Sequence, residues 1–358
     1  MSTTFDAGRT ITAAAVLAIP ADRPEKLFSG DEEADKLLYR KLVMDFHPDL
    51  HPENAEAFKR LTELKASRDR QIETDAWCGA GVRELALKSG RRLRIRYLRR
   101  HDFELGTRFI SPRSVTYLFR EEHQALYARA LGTIKGFRCA NDAMRKEMRK
   151  FLPTLELEAE TTAGPVLIIA RPADMVRLRD VLDHLGGRMD PRHVAWILGT
   201  LHNVGAYLQW AGLTHNAIDL DHYFISPRQH SGMLLGGWWY ARQAGDTMTH
   251  LPGASVNVWK TILPSHATAA KRATHKLDRE LIRLVGRTLL GDPGGMRLLR
   301  DAAVPEALRR WVTTPGDDDG IEDYASWARA RDAAFGPRRF VVMDLTPQEI
   351  YGEARQGR

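Results

Sequence analysis

The chain has 358 residues, of which 43% are hydrophobic and 28% are charged, as is typical of folded globular proteins. This length suits about two or three domains and excludes a single small module. No apolar run approaches the roughly 20 residues that cross a bilayer. Two distant cysteines, Cys78 and Cys139, provide neither a disulfide framework nor metal-ligand spacing. We therefore expect a cytoplasmic protein without a cofactor, a metal site or a membrane contact.

The first predicted elements form a helical hairpin. Apolar residues recur at helical spacing from Asp31 to Phe46, with Leu37 beside them, and predict an amphipathic helix. A proline cannot continue that helix, so the tripeptide His47-Pro48-Asp49 is expected in a stiff turn. A second amphipathic helix follows Pro52. Two short helices persist by burying their apolar faces against each other, which puts the tripeptide at the tip of the hairpin.

This segment resembles the second helix and loop of a J domain, the module with which co-chaperones stimulate a DnaK-type ATP-dependent chaperone. The resemblance rests on Tyr39-Arg40-Lys41-Leu42, on the tripeptide and on Phe58 in the following helix. The family's first helix is represented by Ile11 to Ile19, and its third helix is expected to end early, near Arg70. The resemblance implies that this end docks a partner, and the expected contact residues are His47, Pro48, Asp49, Lys36, Arg40 and Lys41.

A second set of elements follows between Gly90 and Leu345. Three strands are predicted at Phe103 to Ile110, Val115 to Phe119 and Ala125 to Ala130. A single helix is predicted at Asp142 to Phe151, two further strands at Leu155 to Leu157 and Val166 to Ile169, and helices at Met175 to Leu185, Asp190 to Trp210 and Thr274 to Arg287.

The order of these elements resembles that of a protein kinase. The segment from Leu213 to Ile225, which follows the long helix, is similar to the catalytic loop, and a short hairpin and a Gly-rich exit come after it. The resemblance implies an α+β chain: an N-terminal α-helical J-like hairpin and a two-lobed kinase-like fold with a small β-rich lobe and a large α-helical lobe.

The resemblance also implies that the active site is emptied. Phosphoryl transfer needs a Gly-rich loop, a Lys held by a Glu, an Asp base and Asn and Asp ligands for magnesium. Here the loop between the first two strands has one glycine, Gly106. The degenerate kinase positions are Arg129 for the Lys, Glu147 for its partner, His215 in the catalytic loop, Ala217 for the base, His222 for the Asn and Gly236 for the metal-binding Asp.

Asp278 begins a helix that is similar to the central helix of the kinase large lobe. The resemblance gives this residue a structural role, in which its carboxylate holds the backbone of the catalytic loop. The competing hypothesis is an atypical active kinase in which Asp219 or Asp221 has replaced the missing base. The aromatic run Trp238-Trp239-Tyr240 fits either an exposed platform or cleft-filling packing, and packing is the expectation.

The charge of the chain is concentrated in one region. Gly79 to Phe151 contains 18 Lys and Arg against 7 Asp and Glu, whereas the whole chain carries a net charge of +7. Arg92, Arg94 and Arg96 alternate with apolar residues, which on a strand places the three guanidinium groups on one face. Such a stripe could bind nucleic acid or another polyanion, although a solvated basic face is the simpler interpretation.

The sequence therefore predicts an adaptor and not an enzyme. A J-like domain (1–72) recruits a DnaK-type chaperone, and a pseudokinase binds an unidentified client or scaffold protein. An atypical kinase and a nucleic-acid-associated protein are the alternative functions. The remaining predicted segments are a linker (73–89), a kinase-like small lobe (90–172), a large lobe (173–345) and a C-terminal tail (346–358).

Overall fold

The computed structural model describes residues 11–74, 77, 79, 81–262, 271–337 and 339–352, and it has the expected mixture of helices and strands of an α+β protein. The chain divides into two compact units. The first contains Met1–Arg120, Ala159–Val166 and Pro347–Arg358, and the second contains Glu121–Glu158 and Leu167–Thr346. Within the described residues no helix combines the length and the apolarity needed to cross a membrane.

The first unit begins with three helices, α1 (Ala13–Leu17), α2 (Glu32–Phe46) and α3 (Ala55–Glu73). The Asp31 side chain caps α2 by accepting a 2.8 Å hydrogen bond from the Ala34 amide. The helix ends before His47, which is extended because Pro48 follows it. The three helices and the segments next to them share one hydrophobic core. Its buried residues are Ile11, Val16, Ile19, Leu27, Phe28, Leu42, Phe46, Ala57, Leu61, Leu64 and Trp77.

Three details of this region differ from the sequence prediction. Leu37 is 65% exposed, because it lies on the face of α2 opposite the buried Leu42 and Phe46. The third helix continues past Arg70 to Glu73. Trp77, within the predicted linker, is buried in the helical core. The predicted linker residues 75, 76, 78 and 80 lie outside the described residues.

A buried ion pair joins α2 to α3. Asp35 accepts a 3.0 Å hydrogen bond from Arg68 Nε, and the two side chains are 2% and 8% exposed. Asp35 also accepts from the Ser29 amide at 2.6 Å, the Ser29 hydroxyl at 2.7 Å and the Gly30 amide at 2.9 Å. One carboxylate therefore fixes the loop before α2 and the distal half of α3.

The rest of the first unit is mainly antiparallel sheet. A separate hairpin is formed by β1 (Gly81–Ala86) and β2 (Arg92–Tyr97). A five-stranded sheet contains β3 (Arg99–Phe103), β4 (Gly106–Ile110), β5 (Ser114–Phe119), β6 (Leu155–Thr161) and β7 (Gly164–Ala170). The strand order is β3-β4-β5-β7-β6, and residues Ala159–Val166 of the first unit contribute parts of β6 and β7.

The second unit is mainly helical, with short strand pairs. Its helices are α4 (Gln124–Lys135), α5 (Asp142–Met148), α6 (Leu178–His184), α7 (Pro191–Ala211), α8 (Gly253–Ile262), α9 (His275–Leu289), α10 (Glu306–Thr313) and α11 (Gly320–Phe335). Its short strands are β8 (Val176–Arg177), β9 (Leu213–Thr214), β10 (Tyr223–Ser226), β11 (Ser231–Leu234) and β12 (Arg242–Gln243).

Two strand predictions were wrong. Ala125 to Ala130 belongs to helix α4, whose buried residues Leu126, Tyr127, Ala130 and Ile134 recur at helical spacing. Phe103 to Ile110 is not one strand, because the chain reverses at Glu104-Leu105 between β3 and β4. The turn requires Gly106, at a φ of 155°, since a Cβ there would lie 2.0 Å from the Leu118 carbonyl oxygen.

The predicted domain boundaries also differ from the observed division. The predicted small lobe, 90–172, is shared between the two units, because separate stretches of sequence contribute to each. The predicted tail contains a further helix, α12 (Pro347–Tyr351), with Ile350 and Tyr351 buried. Within the first unit the buried Arg99 donates a 3.1 Å hydrogen bond to the Ile350 carbonyl oxygen. Residues 353–358 of the predicted tail lie outside the described residues.

Candidate functional site

The first candidate site is the tip between α2 and α3. His47 accepts hydrogen bonds at its carbonyl oxygen from the Leu50 amide at 3.0 Å and the His51 amide at 2.8 Å, which closes a tight turn. Its Nδ1 accepts from the Asp49 amide at 3.2 Å. The imidazole packs edge-on against Phe58 of α3, with 5.6 Å between ring centroids. The His47 ring is thus oriented by the fold, while the Asp49 carboxylate is almost fully exposed.

The outward face of α2 continues from this tip. Lys36, Arg40 and Lys41 are exposed there, and within the described residues none of them forms an ion pair. Unpaired cations of this kind are available to an acidic partner.

Sequence reasoning missed three apolar residues in the same region. Leu37, Met44 and Leu50 are 65%, 62% and 60% exposed, respectively. Leu37 and Met44 are seven residues apart and so lie on one face of α2. This spacing was visible in the sequence and could have indicated an exposed apolar pair. Lys36, Leu37, Arg40, Lys41, Met44 and Leu50 are together called the docking face, after the function proposed below, and they combine positive charge with exposed apolar surface.

The arginine stripe lies on the β1–β2 hairpin. Arg92, Arg94 and Arg96 are exposed, and their side chains alternate with the more buried Leu93, Ile95 and Tyr97, as predicted. Glu84 on the facing strand lies 3.4 Å from Arg92 and 3.8 Å from Arg94. The hairpin therefore neutralises part of its own positive charge, and polyanion binding stays a prediction.

The second candidate site is the loop after α7, called the kinase-like loop because the sequence predicts a resemblance to a kinase catalytic loop. Asp278, at the start of α9, is buried and accepts hydrogen bonds from the amides of His215 at 2.8 Å and Asn216 at 2.7 Å. Burial raises the pKa of Asp278 to about 6, although these two amide bonds oppose the rise. Asn216 is held at a φ of 65°, a left-handed conformation. The loop backbone is thus fixed by one buried carboxylate.

The residues at the expected catalytic positions bond to one another. His215 Nε2 donates to the Gly236 carbonyl oxygen at 2.9 Å, and His215 Nδ1 accepts from the Ala217 amide at 3.3 Å. This arrangement suits a neutral imidazole, and burial lowers the pKa of His215 to about 3. His222 Nδ1 lies 3.1 Å from the Ala217 carbonyl oxygen and 2.9 Å from Asp219 Oδ1.

Both carboxylates of the competing kinase hypothesis are engaged. Asp219 also accepts from the backbone amides of Asp221 and His222, each at 2.9 Å. Burial alone would raise the pKa of Asp219, but His222 and these amides outweigh it and lower the pKa. Asp221 lies 2.6 Å from Arg177 Nη1 and 3.6 Å from Arg179 Nε. An anionic, hydrogen-bonded Asp219 is a weak proton acceptor.

The aromatic run beside the loop is packed inside the second unit. Trp238, Trp239 and Tyr240 are all buried, and Trp238 Nε1 donates to the Leu234 carbonyl oxygen at 2.8 Å. The Trp238 ring lies edge-on to His215, with 4.7 Å between centroids. These contacts agree with packing and not with an exposed platform.

The prediction that Arg129 takes the place of the kinase lysine on a third strand needs correction. Arg129 lies on helix α4 and not on a third strand, because the apolar run around it has helical spacing. Glu147 lies on α5 as expected, but its carboxylate pairs with Lys150 at 2.6 Å and not with Arg129. The third strand of the sheet is β5, whose sequence Ser-Val-Thr-Tyr-Leu-Phe contains no basic residue.

Within the described part of the chain, no group of three or more His, Cys, Asp or Glu side chains could hold a metal ion. Comparison with known proteins found neither a matching family model nor a significantly similar curated protein.

Proposed function

We propose that this chain is an adaptor that recruits a DnaK-type chaperone, stimulates its ATPase activity and brings it to a client or scaffold protein. The His47-Pro48-Asp49 turn, which follows a helix with three exposed basic residues and presents an exposed Asp49, carries the proposal. His47 is oriented by Phe58, whereas the Asp49 carboxylate, 3.7 Å from His47 Nδ1 and 87% exposed, can receive a donor from the partner. An adaptor of this kind would act in the cytoplasm, where DnaK-type chaperones and reduced cysteines are found.

The docking face suggests how the two proteins would meet. Lys36, Arg40 and Lys41 would accelerate the encounter with an acidic surface, and salt would slow it by screening. The apolar side chains of Leu37 and Met44 would then lose water at the centre of the contact. Charge would mainly set the association rate, and apolar burial would mainly set the lifetime of the complex.

The test is the steady-state ATPase rate of a purified DnaK-type chaperone with and without the full chain. We expect stimulation that His47→Gln abolishes and that falls with increasing salt. The matched control is His51→Gln, since His51 is another exposed histidine just beyond the turn. Equal stimulation by wild type and His47→Gln would remove the proposed J-domain function.

We propose that the kinase-like part is catalytically inactive. Its resemblance to a protein kinase is supported by the order of three strands (β3 to β5), two helices (α4 and α5) and two more strands (β6 and β7), although one helix was expected there. Strand β5 carries no lysine, and Ala217 and Gly236 provide neither a base nor a metal-binding carboxylate. Several kcal/mol of transition-state stabilisation would then have no source.

The full chain is expected to incorporate no labelled phosphate into itself or into a generic protein substrate when magnesium and ATP are supplied. An active protein kinase in parallel checks the assay. Magnesium-dependent incorporation that Asp219→Asn or Asp221→Asn abolished would instead establish the atypical-kinase alternative.

A further inference from the structure

A cavity of about 690 Å³ lies in the second unit, among α7, α11, the β10–β11 turn and the segment after α11. Its volume is within the usual range of sites for small organic ligands. No residue of the docking face, the arginine stripe or the kinase-like loop lines it.

A three-ring stack forms one wall of the cavity. The His230 imidazole lies parallel to Trp196, with 4.6 Å between centroids and 7° between planes, and it stacks on Phe340 at 4.1 Å and 24°. His230 is held at a φ of 48°, a strained conformation for a residue with a side chain. Phe340 is 64% exposed, so this aromatic wall reaches solvent.

Several polar groups of the described lining residues have no hydrogen-bond partner, among them His230 Nε2. Trp196 and Trp327 carry buried indole N–H groups that, in the described structure, have no hydrogen-bond acceptor. The side-chain amide of Asn203 likewise makes no hydrogen bond to another described residue. Buried donors are almost always satisfied in native proteins. The two indole N–H groups can therefore be satisfied by a ligand that brings acceptors.

The charges of the lining have one sign. Among the described lining residues three are arginines and none is Asp or Glu. Arg192 and Arg331 already pair with Asp190 and Asp332, both at 2.7 Å. Arg339 forms no ion pair with any other residue that the structure describes. Of the described lining arginines, Arg339 is therefore the one whose guanidinium remains available to a ligand.

We propose that this cavity binds a small aromatic organic anion, with the ring against the Trp196–His230–Phe340 wall and the carboxylate or sulfonate on Arg339. Aromatic walls favour aromatic ligands through stacked and edge-on contacts. A guanidinium binds a planar or tetrahedral oxyanion through charge-assisted hydrogen bonds. This binding activity is independent of chaperone docking and goes beyond the adaptor function.

The test uses two fluorescent probes with the same rings, anilinonaphthalene sulfonate and the neutral phenylnaphthylamine, titrated into the full chain. We expect Arg339→Ala to weaken sulfonate binding on the order of fivefold and to leave the neutral probe unchanged. Phe340→Ala should weaken both probes, by about threefold to tenfold. Both residues are exposed, so neither change should prevent folding, and far-ultraviolet circular dichroism checks this.

Arg300→Ala is the matched control, because Arg300 is also exposed in the second unit and does not line the cavity. It should leave both affinities unchanged. The proposal requires that Arg339→Ala weaken binding of the sulfonate probe alone and that Phe340→Ala weaken binding of both probes. An effect from only one of these variants, from neither, or an equal effect from Arg300→Ala would overturn it.

Discussion

The buried pair Asp35–Arg68 should be the strongest polar link within the helical region. Asp35→Ala removes the acceptor of four hydrogen bonds and leaves the Arg68 guanidinium buried. Among the described residues, only the Asp69 carboxylate would still pair with it, with Oδ1 at 3.1 Å from Nη1. Breaking one side of a buried pair typically costs about 3–5 kcal/mol. Because Asp69 still partly neutralises Arg68, we expect Asp35→Ala to lower the free energy of unfolding by about 3 kcal/mol, a large share of a typical domain's stability.

Hydrogen exchange of the full chain, followed by mass spectrometry, measures this loss where it occurs. Amides of α2 and α3 should exchange on the order of a hundredfold faster in Asp35→Ala, because local opening becomes easier. The control is Lys65→Ala, which breaks the exposed Lys65–Asp69 pair at 2.5 Å and should cost less than about 1 kcal/mol.

A double-mutant cycle with Arg68→Met separates the pair from its surroundings. The double variant should be less destabilised than the sum of the single changes by about 1–3 kcal/mol, since it leaves no unpaired buried charge. Unchanged protection in Asp35→Ala, or strict additivity in the cycle, would refute the idea that this ion pair couples α2 to α3.

Three further predictions concern the kinase-like loop and a glycine control. Gly237→Ala should lower the free energy of unfolding by at least about 2 kcal/mol in urea titrations, since φ is 81° and a Cβ would lie 2.4 Å from His215 Cε1. The control is Gly90→Ala, which has a similar φ of 84° but open space around the Cβ position, and it should lower the free energy of unfolding by only about 1 kcal/mol. Trp238→Ala should cost about 3–5 kcal/mol in the same titrations, because the indole is fully buried. Burial raises the pKa of Asp278 to about 6, so its proton stabilises the fold below about pH 4, and this contribution is lost as pH rises through 6. The free energy of unfolding should therefore fall between pH 5 and pH 7, and Asp278→Asn should make this fall smaller by about 1 kcal/mol. A fall of the same size in wild type and Asp278→Asn would contradict the raised pKa.

The helical hairpin was the part of the fold that the sequence predicted best. Its signals are local: Asp31 caps α2, Pro48 ends it, and the apolar spacing sets the buried face. The sequence predicted Leu37 on the buried face of α2 because Leu37 lies beside the apolar stripe of that helix. Whether such a neighbouring residue is buried depends on where the partner helix packs, and the sequence pattern does not show this. The Asp35–Arg68 pair spans 33 residues, and no local pattern indicates it.

The region before the kinase-like loop was harder to predict. Ala125 to Ala130 is a short apolar run, and such a run suits a strand or a buried helix equally well. Extending the window to Ile134 would have shown the helical spacing of the buried residues. The cavity around Trp196 and Phe340 was missed because its walls come from distant segments and its lining follows no motif.

The helix α12 gives the first unit a particular order of assembly during synthesis. Its residues belong to the same unit as the N-terminal helices, and Arg99 of β3 bonds to Ile350. At translation rates of about 5–20 residues per second, Pro347 leaves the ribosome roughly 10 to 45 seconds after Arg120. The helices around His47 are therefore synthesised well before helix α12 can join their unit.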